Sequence, residues 1–283
     1  MPELPEVETI VRQLAGCLVG QHIVDTVVYW PPTVATHTPD DFAAALQGRA
    51  ISSVRRRAKY VIIGVPPQVL IIHLRMTGRL CLGDTVASPC ADDYVRVRWL
   101  FGAEALRLSD LRKFGRVYLV DDAEQVLGGL GPEPFDETLT DSTFAAMLHS
   151  RRRQLKPLLL DQHFMAGLGN IYVDEALWRA RLHPLTRADT LSPCQAGGLL
   201  AAIRSTLNDA ITHGGTTLRD YRNAYNEAGG YGRALAVYGR AGKSCPRCGA
   251  PIRRLVVGER GAHVCEQCQP RPGRQEVGHG PDA

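Results

Sequence analysis

The chain has 283 residues, of which 45% are hydrophobic and 22% charged, and its formal net charge is +4. This length allows two domains with separate cores, and the composition is ordinary for a globular protein. No apolar run approaches the ~20 residues of a transmembrane helix, and the first residues do not have the pattern of a signal peptide. We therefore expect a cytoplasmic protein without a membrane partner. The charge favours an anionic partner only weakly.

The first 130 residues predict a β-rich domain that begins with a helix. Residues 5–18 place Val7, Ile10 and Leu14 on one face, and Pro5 suits the first helical turn. Apolar, β-type segments follow at 22–30, 50–65, 69–80, 94–101, 105–110 and 115–120.

The second half of the chain has helical periodicity and ends in a cysteine-rich segment. One of its helices begins at Ser192, where Gln195 completes a capping-box pattern. A segment rich in Gly, Pro and acid separates the two halves and predicts a linker. The predicted organisation is an N-terminal domain at 1–130, a linker at 131–142, a helical domain at 143–235, a zinc finger at 236–269 and a disordered tail at 270–283.

The C-terminal cysteines predict a metal site. Cys245, Cys248, Cys265 and Cys268 form a C-x2-C-x16-C-x2-C pattern. Two such pairs can enclose one zinc ion in a tetrahedral thiolate cage that leaves no open position for catalysis, so the ion is structural. A pair of disulfides is the alternative, but the expected compartment argues against it.

The other four cysteines have no ligand spacing, and we expect buried thiols; they are Cys17, Cys81, Cys90 and Cys194.

Basic residues are clustered along the chain. One cluster surrounds Lys59 and another surrounds Lys156, and either could be only a solvated surface. Between the two cysteine pairs, Arg253, Arg254 and Arg260 lie in a predicted hairpin, where they are placed to meet phosphates.

The chain begins with MPELPEVE. Removal of Met1 would expose the secondary amine of Pro2, and an α-amino group titrates near ~8, so part of it is neutral at pH 7. The positive end of the following helix lowers the pKa of this amine further. Such an amine can attack an electrophilic carbon and form an iminium, while Glu3 transfers protons. A plainer interpretation is that proline and acids suit a helix N-terminus, and composition alone favours it.

Seven segments in one order decide between these interpretations, and together they run from residue 2 to residue 269. They are PELPEVE, RRRAKY, HLRMTGRL, DLRKFG, LLLDQHFMAGLGNIYVDEALWRARLHP, GGTTLRDY and the four-cysteine finger. Together they closely resemble the formamidopyrimidine-DNA glycosylase family. The related endonuclease VIII branch begins with Pro-Glu-Gly-Pro, whereas this chain has Leu4, which favours the formamidopyrimidine branch.

The resemblance implies an α+β protein with an N-terminal β-sandwich domain and an N-terminal helix. A helical domain with a helix–two-turns–helix element and a zinc-finger β-hairpin would follow. It also implies a monomeric, nucleoid-associated enzyme that excises oxidised purines from double-stranded DNA. Pro2 would attack C1′ of the damaged nucleotide, Glu3 would transfer protons, and β and δ elimination would follow. Glu6 would orient this end of the active site, although an acid in a first helical turn explains it nearly as well.

The family also assigns roles in DNA binding. Met76 would act as a wedge, while Arg112 and Phe114 fill the space that the flipped base vacates. The alternatives for Met76 and Phe114 are core side chains. Residues expected to hold phosphates are Lys59 and Arg260, both counted with the catalytic groups, and His73, Asn170 and Lys156.

His73 alone would more often be a strand histidine than a ligand. Asn170 lies near a helix N-terminus, where free N–H groups favour anions, and it could also be a plain cap.

The chain departs from the family pattern in places. Ala58 replaces a usual glycine, Asp92 and Tyr94 stand where histidines are common, and Gly261-Ala262 follows Arg260 in place of a hydroxyl residue. The lesion-sensing loop at 216–238 is only loosely similar. Two alternatives therefore accompany the main hypothesis: a non-catalytic, zinc-stabilised DNA-binding protein, and a glycosylase for oxidised pyrimidines.

Overall fold

The computed structural model describes residues 1–85 and 93–273. The chain divides into two units. The first comprises Met1–Glu133, Met165–Leu168 and Leu207–Ala234, and the second comprises Pro134–Phe164, Gly169–Thr206 and the residues from Leu235 onward. Cys90, Asp92 and the predicted tail beyond residue 273 lie outside the described residues.

The first unit is built on two antiparallel four-stranded sheets. Its elements are α1 (Leu4–Leu18), β1 (Asp25–Val28), α2 (Pro39–Leu46), β2 (Ser53–Arg57), β3 (Tyr60–Val65), β4 (Gln68–His73), β5 (Gly78–Asp84), β6 (Val95–Phe101), β7 (Glu104–Asp110), β8 (Arg116–Val120) and the short α3 (Glu124–Leu127). One sheet has the order β1-β6-β7-β5 and the other has the order β2-β3-β4-β8.

The core of this unit explains why α1 forms. Val7, Ile10 and Leu14 are fully buried in one cluster with side chains from both sheets, including Trp99. The predicted helix, strands and sandwich are confirmed. Helix α2 was not predicted from the sequence, although Thr38 caps it by accepting a hydrogen bond from the Asp41 N–H at 3.2 Å.

The second unit is helical and carries a β-hairpin. Its elements are α4 (Asp141–His149), α5 (Leu155–Leu159), α6 (Asn170–Arg179), α7 (Pro193–Thr212), β9 (Arg253–Val257) and β10 (Arg260–Val264), and the last turns of α7 belong to the first unit. The capping box of α7 is confirmed: the Ser192 N–H donates to Gln195 Oε1 at 2.9 Å, and the Gln195 N–H donates to Ser192 Oγ at 3.2 Å. None of the helices in the described ranges is both long and apolar enough to span a bilayer.

The cysteines outside the cluster differ from expectation. Cys81 is buried on β5, but it is disulfide-bonded, and Cys194 is an exposed free thiol. Cys17 is free and half-buried. The prediction of buried thiols is therefore wrong for Cys81 and Cys194. Cys194 lies in the first turn of α7, on the side of that helix away from its buried residues.

Candidate active site

The residues that follow Met1 in the first unit are buried, and hydrogen bonds hold their backbone in place. Pro2 and Glu3 are both buried, and Glu3 is the N-cap residue of α1. The Glu3 N–H donates to Glu6 Oε2 at 2.8 Å, and the Thr216 N–H donates to Glu6 Oε1 at 2.7 Å. The Glu6 carboxylate therefore holds the backbone of residue 3 against a loop that is distant in sequence, which is the geometry that a supporting acid requires.

Tyr221 completes this support, and sequence reasoning did not identify it. Its hydroxyl donates to the backbone carbonyls of Glu6 and Gly214, at 3.3 and 3.2 Å. Burial, followed by the charge of Glu6, raises the pKa of Tyr221, so the phenol remains a hydrogen-bond donor at physiological pH. The signal was its place at the end of the GGTTLRDY segment.

Lys59 lies in the two-residue turn between β2 and β3. Its side chain is 6% exposed, and Nζ donates to the Leu168 carbonyl at 2.7 Å. Ala58, beside it, has φ +52°, a left-handed conformation that favours glycine. Alanine therefore replaces the family's usual glycine at a position where the backbone conformation favours glycine.

The start of α1 and Lys59 bind consecutive carbonyls. The Leu4 N–H donates to the Gly167 carbonyl at 3.1 Å, one residue before the carbonyl that Lys59 binds. Gly167 has φ +102°, and a Cβ there would lie 2.6 Å from Leu4 Cδ1. Only glycine can adopt this backbone conformation and also leave room for the Leu4 side chain. The first glycine of GLGN is therefore explained by the contact with α1.

A network of charges holds the turn that carries Lys59. Arg56 Nε donates to Glu8 Oε2 at 2.7 Å, and its Nη1 donates to Glu133 Oε1 over a short distance. The same Glu133 oxygen accepts the Ala58 N–H at 2.7 Å. Burial alone would raise the pKa of Glu8, but hydrogen bonds from Arg56 and Arg12 lower it overall. Arg56, which belongs to a basic cluster in the sequence, is internally paired, and Glu133 comes from the predicted linker.

His73 is the last residue of β4 and is neutral. Its ring is 7% exposed, and Nδ1 accepts the Arg75 N–H at 3.0 Å. Burial, with the charges of Arg75 and Lys59, lowers the pKa of His73 from 6.5 to about 3. Because Nδ1 accepts a hydrogen bond, the ring proton is on Nε2. His73 can therefore donate to a phosphate as a neutral group, while it is also a satisfied strand histidine.

Met76, Arg112 and Phe114 form a single exposed group. The side chains of Met76 and Phe114 are 44% and 45% exposed, so the core interpretations of both residues are wrong. The Arg112 guanidinium lies 4.7 Å from the centre of the Phe114 ring, and its Nη1 lies 3.2 Å from Met76 Sδ. Two apolar side chains and a cation thus stand together on the surface, as insertion into a base stack requires.

Asp110 organises the loop beneath these side chains, and sequence reasoning did not assign it a role. Its carboxylate is 1% exposed and accepts hydrogen bonds from the Thr77 hydroxyl at 2.5 Å and the Gly115 N–H at 2.7 Å. It also accepts the Arg112 N–H at 3.2 Å. The aspartate of DLRKFG is therefore the residue that shapes the loop.

The second unit contains the zinc site. The four Sγ atoms of Cys245, Cys248, Cys265 and Cys268 lie within 4.8 Å of one another. The closer pairs are 3.9 and 3.4 Å apart, near the ~3.8 Å that a tetrahedron with Zn–S bonds of ~2.3 Å requires. All four are free cysteines, so the disulfide alternative is wrong. They form a closed structural site for one zinc ion.

Lys156 is enclosed rather than presented to solvent. Its ammonium is 0% exposed and donates to Asp174 Oδ1 at 2.5 Å and to the Gly261 carbonyl at 2.7 Å. Asp174 Oδ2 accepts the His263 N–H at 2.8 Å. In this structure the Lys156 ammonium is therefore not available to a phosphate. It fixes the β9–β10 hairpin to α6.

A second buried carboxylate fixes the chain that leads to the finger. Glu175, on α6, accepts the N–H groups of Ala236, Val237 and Tyr238 at 2.8, 2.9 and 2.8 Å. Burial raises the pKa of Glu175 despite these three hydrogen bonds. Glu175 and Asp174 are both in the IYVDEALWR segment, and their helical positions gave no signal of a buried role.

Asn170 and Arg260 are the remaining predicted residues of this unit. Asn170 is the first residue of α6, directly after the N-cap Gly169, and its Nδ2 lies 3.5 Å from Tyr238 Oη. Arg260 is exposed and begins β10, after a turn in which Gly258 and Glu259 both have positive φ. The predicted hairpin is confirmed, and its arginine faces solvent.

Models of known families match nearly the whole chain. The formamidopyrimidine-DNA glycosylase N-terminal domain matches residues 1–117, the H2TH domain of the same enzymes matches 130–222, and the zinc finger found in FPG and IleRS matches 242–271. The formamidopyrimidine-DNA glycosylase of Protochlamydia amoebophila is 45% identical over 95% of this chain and 99% of its own. That of Herpetosiphon aurantiacus is 45% identical over 95% of this chain and 100% of its own.

Solved structures agree with these matches. The wild-type Lactococcus lactis Fpg in complex with DNA that contains N7-benzyl-Fapy-dG has a TM-score of 0.88 and is 36% identical, over 95% of this chain and 100% of its own. The complex of the same enzyme with DNA that contains an abasic site has a TM-score of 0.87, with the same identity and coverage.

Proposed function

Because the chain belongs to the formamidopyrimidine-DNA glycosylase family, we propose that it excises oxidised purines from double-stranded DNA and then cleaves the strand at the abasic site. The nucleophile of both steps is the amine of Pro2, exposed by removal of Met1. This proposal takes 8-oxoguanine and formamidopyrimidines as the substrates. Its support comes from relatives with this name and from structural neighbours bound to DNA with a Fapy-dG lesion or an abasic site.

One observation carries the catalytic proposal. The start of α1, which bears Pro2 and Glu3, and the turn that bears Lys59 are joined to the consecutive carbonyls of Gly167 and Leu168. The start of α1, which directly follows the nucleophile and the acid, and a cation from a distant part of the sequence are thus attached to one short segment of the first unit. A module that only binds DNA needs no such attachment for its first residues.

The chemistry follows from these groups. The neutral Pro2 nitrogen attacks C1′, the glycosidic bond breaks, and the base leaves with its bonding electrons and a proton. Glu3 gives its proton at base release and then takes up the N–H proton of the attached Pro2 nitrogen. The nitrogen lone pair forms an iminium at C1′ as the C1′–O4′ bond breaks, and Glu3 returns the proton to O4′, which opens the sugar ring. Loss of a C2′ proton expels the 3′ phosphate by β elimination, and a further loss of a proton expels the 5′ phosphate by δ elimination.

The remaining predicted residues hold the substrate in this proposal. Lys59 and Arg260 neutralise phosphates beside the flipped nucleotide, and His73 and Asn170 donate hydrogen bonds to phosphates. Met76, Arg112 and Phe114 fill the space left in the duplex, which offsets part of the energy lost by unstacking the base.

Borohydride trapping tests the proposal. A duplex with 8-oxoguanine opposite cytosine should give a covalent adduct that maps to Pro2, and an undamaged duplex should give none. A tag that precedes Pro2 should abolish the adduct, whereas the same tag after Ala283 should leave it intact. Full trapping by the N-terminally tagged protein would exclude Pro2 as the nucleophile.

Glu3→Gln separates base release from strand cleavage. The substitution removes the proton donor but keeps the volume, so excision of 8-oxoguanine should fall by about 100-fold or more. Trapping on a preformed abasic site should persist, because no base has to leave and the open-chain form of the abasic sugar already presents C1′ as an aldehyde. Tight DNA binding without any adduct on either substrate would favour the non-catalytic DNA-binding protein.

A further inference from the structure

The surface of the first unit carries a second group of cations and aromatic rings beside the Met76, Arg112 and Phe114 group. The Lys113 ammonium lies 3.9 Å from the centre of a Trp30 ring, and the Arg98 guanidinium lies 5.6 Å from the centre of the Tyr29 ring. We call these four residues the cation–aromatic strip. We infer that the strip binds the phosphodiester backbone of the duplex next to the lesion, and this inference rests on the proposed function.

The strip is continuous with the loop between β7 and β8 that carries Arg112 and Phe114, which we call the insertion loop. Lys113 lies between Arg112 and Phe114 in sequence, and its side chain reaches Trp30 just beyond the end of β1. The N–H groups of Tyr29 and Trp30 both donate to the Arg96 carbonyl, at 2.8 and 3.3 Å. The Arg96 guanidinium donates to the Asp110 carbonyl at 2.9 Å, so the strip and the insertion loop share one support.

The charges of the strip remain available to an anion. Arg98 and Lys113 form no ion pair with an acid within residues 1–85 and 93–273. The Tyr29 side chain is 49% exposed, and Lys113 is exposed as well. Each ring orients its cation without neutralising it, which lowers the entropy lost when the cation meets a phosphate.

Cation–ring pairs are concentrated around the strip, and this distinguishes it from the rest of the surface. Cation–ring pairs occur roughly once per 70–80 residues, so five in the described ranges is an ordinary number. Four of the five, however, lie on β6, in the turn before it, and in the loops that follow β1 and β7. Interleaved cations and rings on one surface fit a polyanion with bases and sugars better than they fit an acidic protein.

The test measures the affinity for an undamaged duplex of about 20 base pairs between 50 and 200 mM salt. Each phosphate contact contributes about 0.9 to the slope of log affinity against log salt. Lys113→Met should therefore reduce the slope by about 0.9, so that the affinity lost over this salt range is about 3.5-fold smaller than in the wild type. Arg98→Met should act in the same way.

Two further variants give the test its controls. Trp30→Leu keeps the Lys113 charge but removes the ring, so the slope should persist while affinity falls by about two- to fivefold. Arg49→Met removes an exposed charge of the same unit whose guanidinium binds the carbonyls of Ala45 and Pro66, and it should leave the slope unchanged. Thermal melting confirms that each variant is folded.

The outcomes distinguish the two proposals. A wild-type protein that binds DNA, with slopes unchanged in both Lys113→Met and Arg98→Met, overturns the strip and leaves the proposed function standing. A wild-type protein with no salt-dependent affinity for DNA overturns the proposed function itself.

Discussion

The predicted catalytic end of the first unit and the finger of the second unit are stabilised in opposite ways. In the first unit the functional groups are themselves buried: Glu3, Glu6 and Lys59 are each 6% exposed or less, and backbone groups hold Glu6 and Lys59. In the finger, Arg260 is exposed, and the groups beneath it that are buried are the Lys156–Asp174 pair and two of the four zinc ligands, Cys245 and Cys265.

The proposed function explains this difference by two tasks. A nucleophile and an acid must meet one carbon atom, so their positions have to be fixed to a fraction of an ångström. An arginine that binds a phosphate needs a fixed backbone, but its guanidinium can be mobile because its attraction to charge acts over several ångströms. Removing a support should therefore impair chemistry in the first unit and DNA affinity in the second.

Loss of zinc should have the largest effect. Cys265→Ser removes one thiolate, and because binding of a structural zinc ion is coupled to folding of its site, the hairpin that carries Arg260 should lose its structure. DNA affinity should fall by at least about tenfold, measured by fluorescence anisotropy together with the zinc content. Cys194→Ser, at the exposed thiol, is the matched control and should change neither quantity. Unchanged affinity after verified metal loss would contradict the role of the finger.

The buried ion pair comes next. Lys156→Met leaves the Asp174 carboxylate buried without its cation and should lower the free energy of unfolding by about 3–5 kcal/mol, measured by urea denaturation. Lys156→Met combined with Asp174→Leu should lower it by less than the sum of the two single changes. Arg253→Met breaks an exposed ion pair on the same hairpin and should change the free energy of unfolding by less than about 1 kcal/mol. A similar small effect for Lys156→Met would refute the anchoring role.

Gly167→Ala tests the first unit in the same way. The substitution strains a positive φ and forces a Cβ against Leu4, so the free energy of unfolding should fall by about 2–4 kcal/mol. Trapping at saturating DNA should slow, because the start of α1 moves relative to Lys59. Gly16→Ala, in the same unit and with open space around it, should stabilise the protein by up to about 1 kcal/mol. Normal trapping by a folded Gly167→Ala protein would show that this contact does not position the site.

The smallest effect concerns pH. The pKa of His73 is about 3 in the folded protein and about 6.5 in the unfolded chain, so the unfolded chain binds the extra proton between these values. The stabilisation by neutral His73 is therefore present above pH 6.5 and is lost as the pH falls towards 3. Between pH 7 and pH 5, wild-type protein should lose about 2 kcal/mol more than His73→Phe, measured by urea denaturation. Parallel pH profiles would indicate a normal histidine.

Local patterns predicted most of the secondary structure. The spacing of Val7, Ile10 and Leu14 indicated α1, the Ser192–Gln195 box indicated the start of α7, and the cysteine spacing indicated the finger. These predictions succeeded because each depends on residues that lie close to one another in the sequence. Helix α2 was missed because a helix of 8 residues offers only a short period to recognise.

The candidate site was predictable only in part. Motif matches predicted roles for Pro2, Glu3 and Lys59, but they gave no role to Glu133, Asp110 or Tyr221. The partners of Glu133 and Tyr221 lie elsewhere in the sequence: Glu133 meets Arg56 and Ala58, and Tyr221 meets the backbone of Glu6. Asp110 binds neighbouring backbone N–H groups, but its contact with the Thr77 hydroxyl is also distant in sequence. From the sequence alone, a carboxylate in a predicted linker that binds a distant turn, as Glu133 does, cannot be distinguished from one that is solvated.

The sequence by itself determined the family, most of the helices and strands, and the four thiolates, because these depend on local spacing and on motifs in a fixed order. Only the tertiary structure decided which side chains are enclosed and which are exposed. Met76 and Phe114 face solvent although their chemistry suits a core, and Lys156 is enclosed although its charge suits the surface. Burial depends on what packs against a side chain, and the partners of Lys156, which are Asp174 and the Gly261 carbonyl, come from parts of the chain that local pattern does not reach.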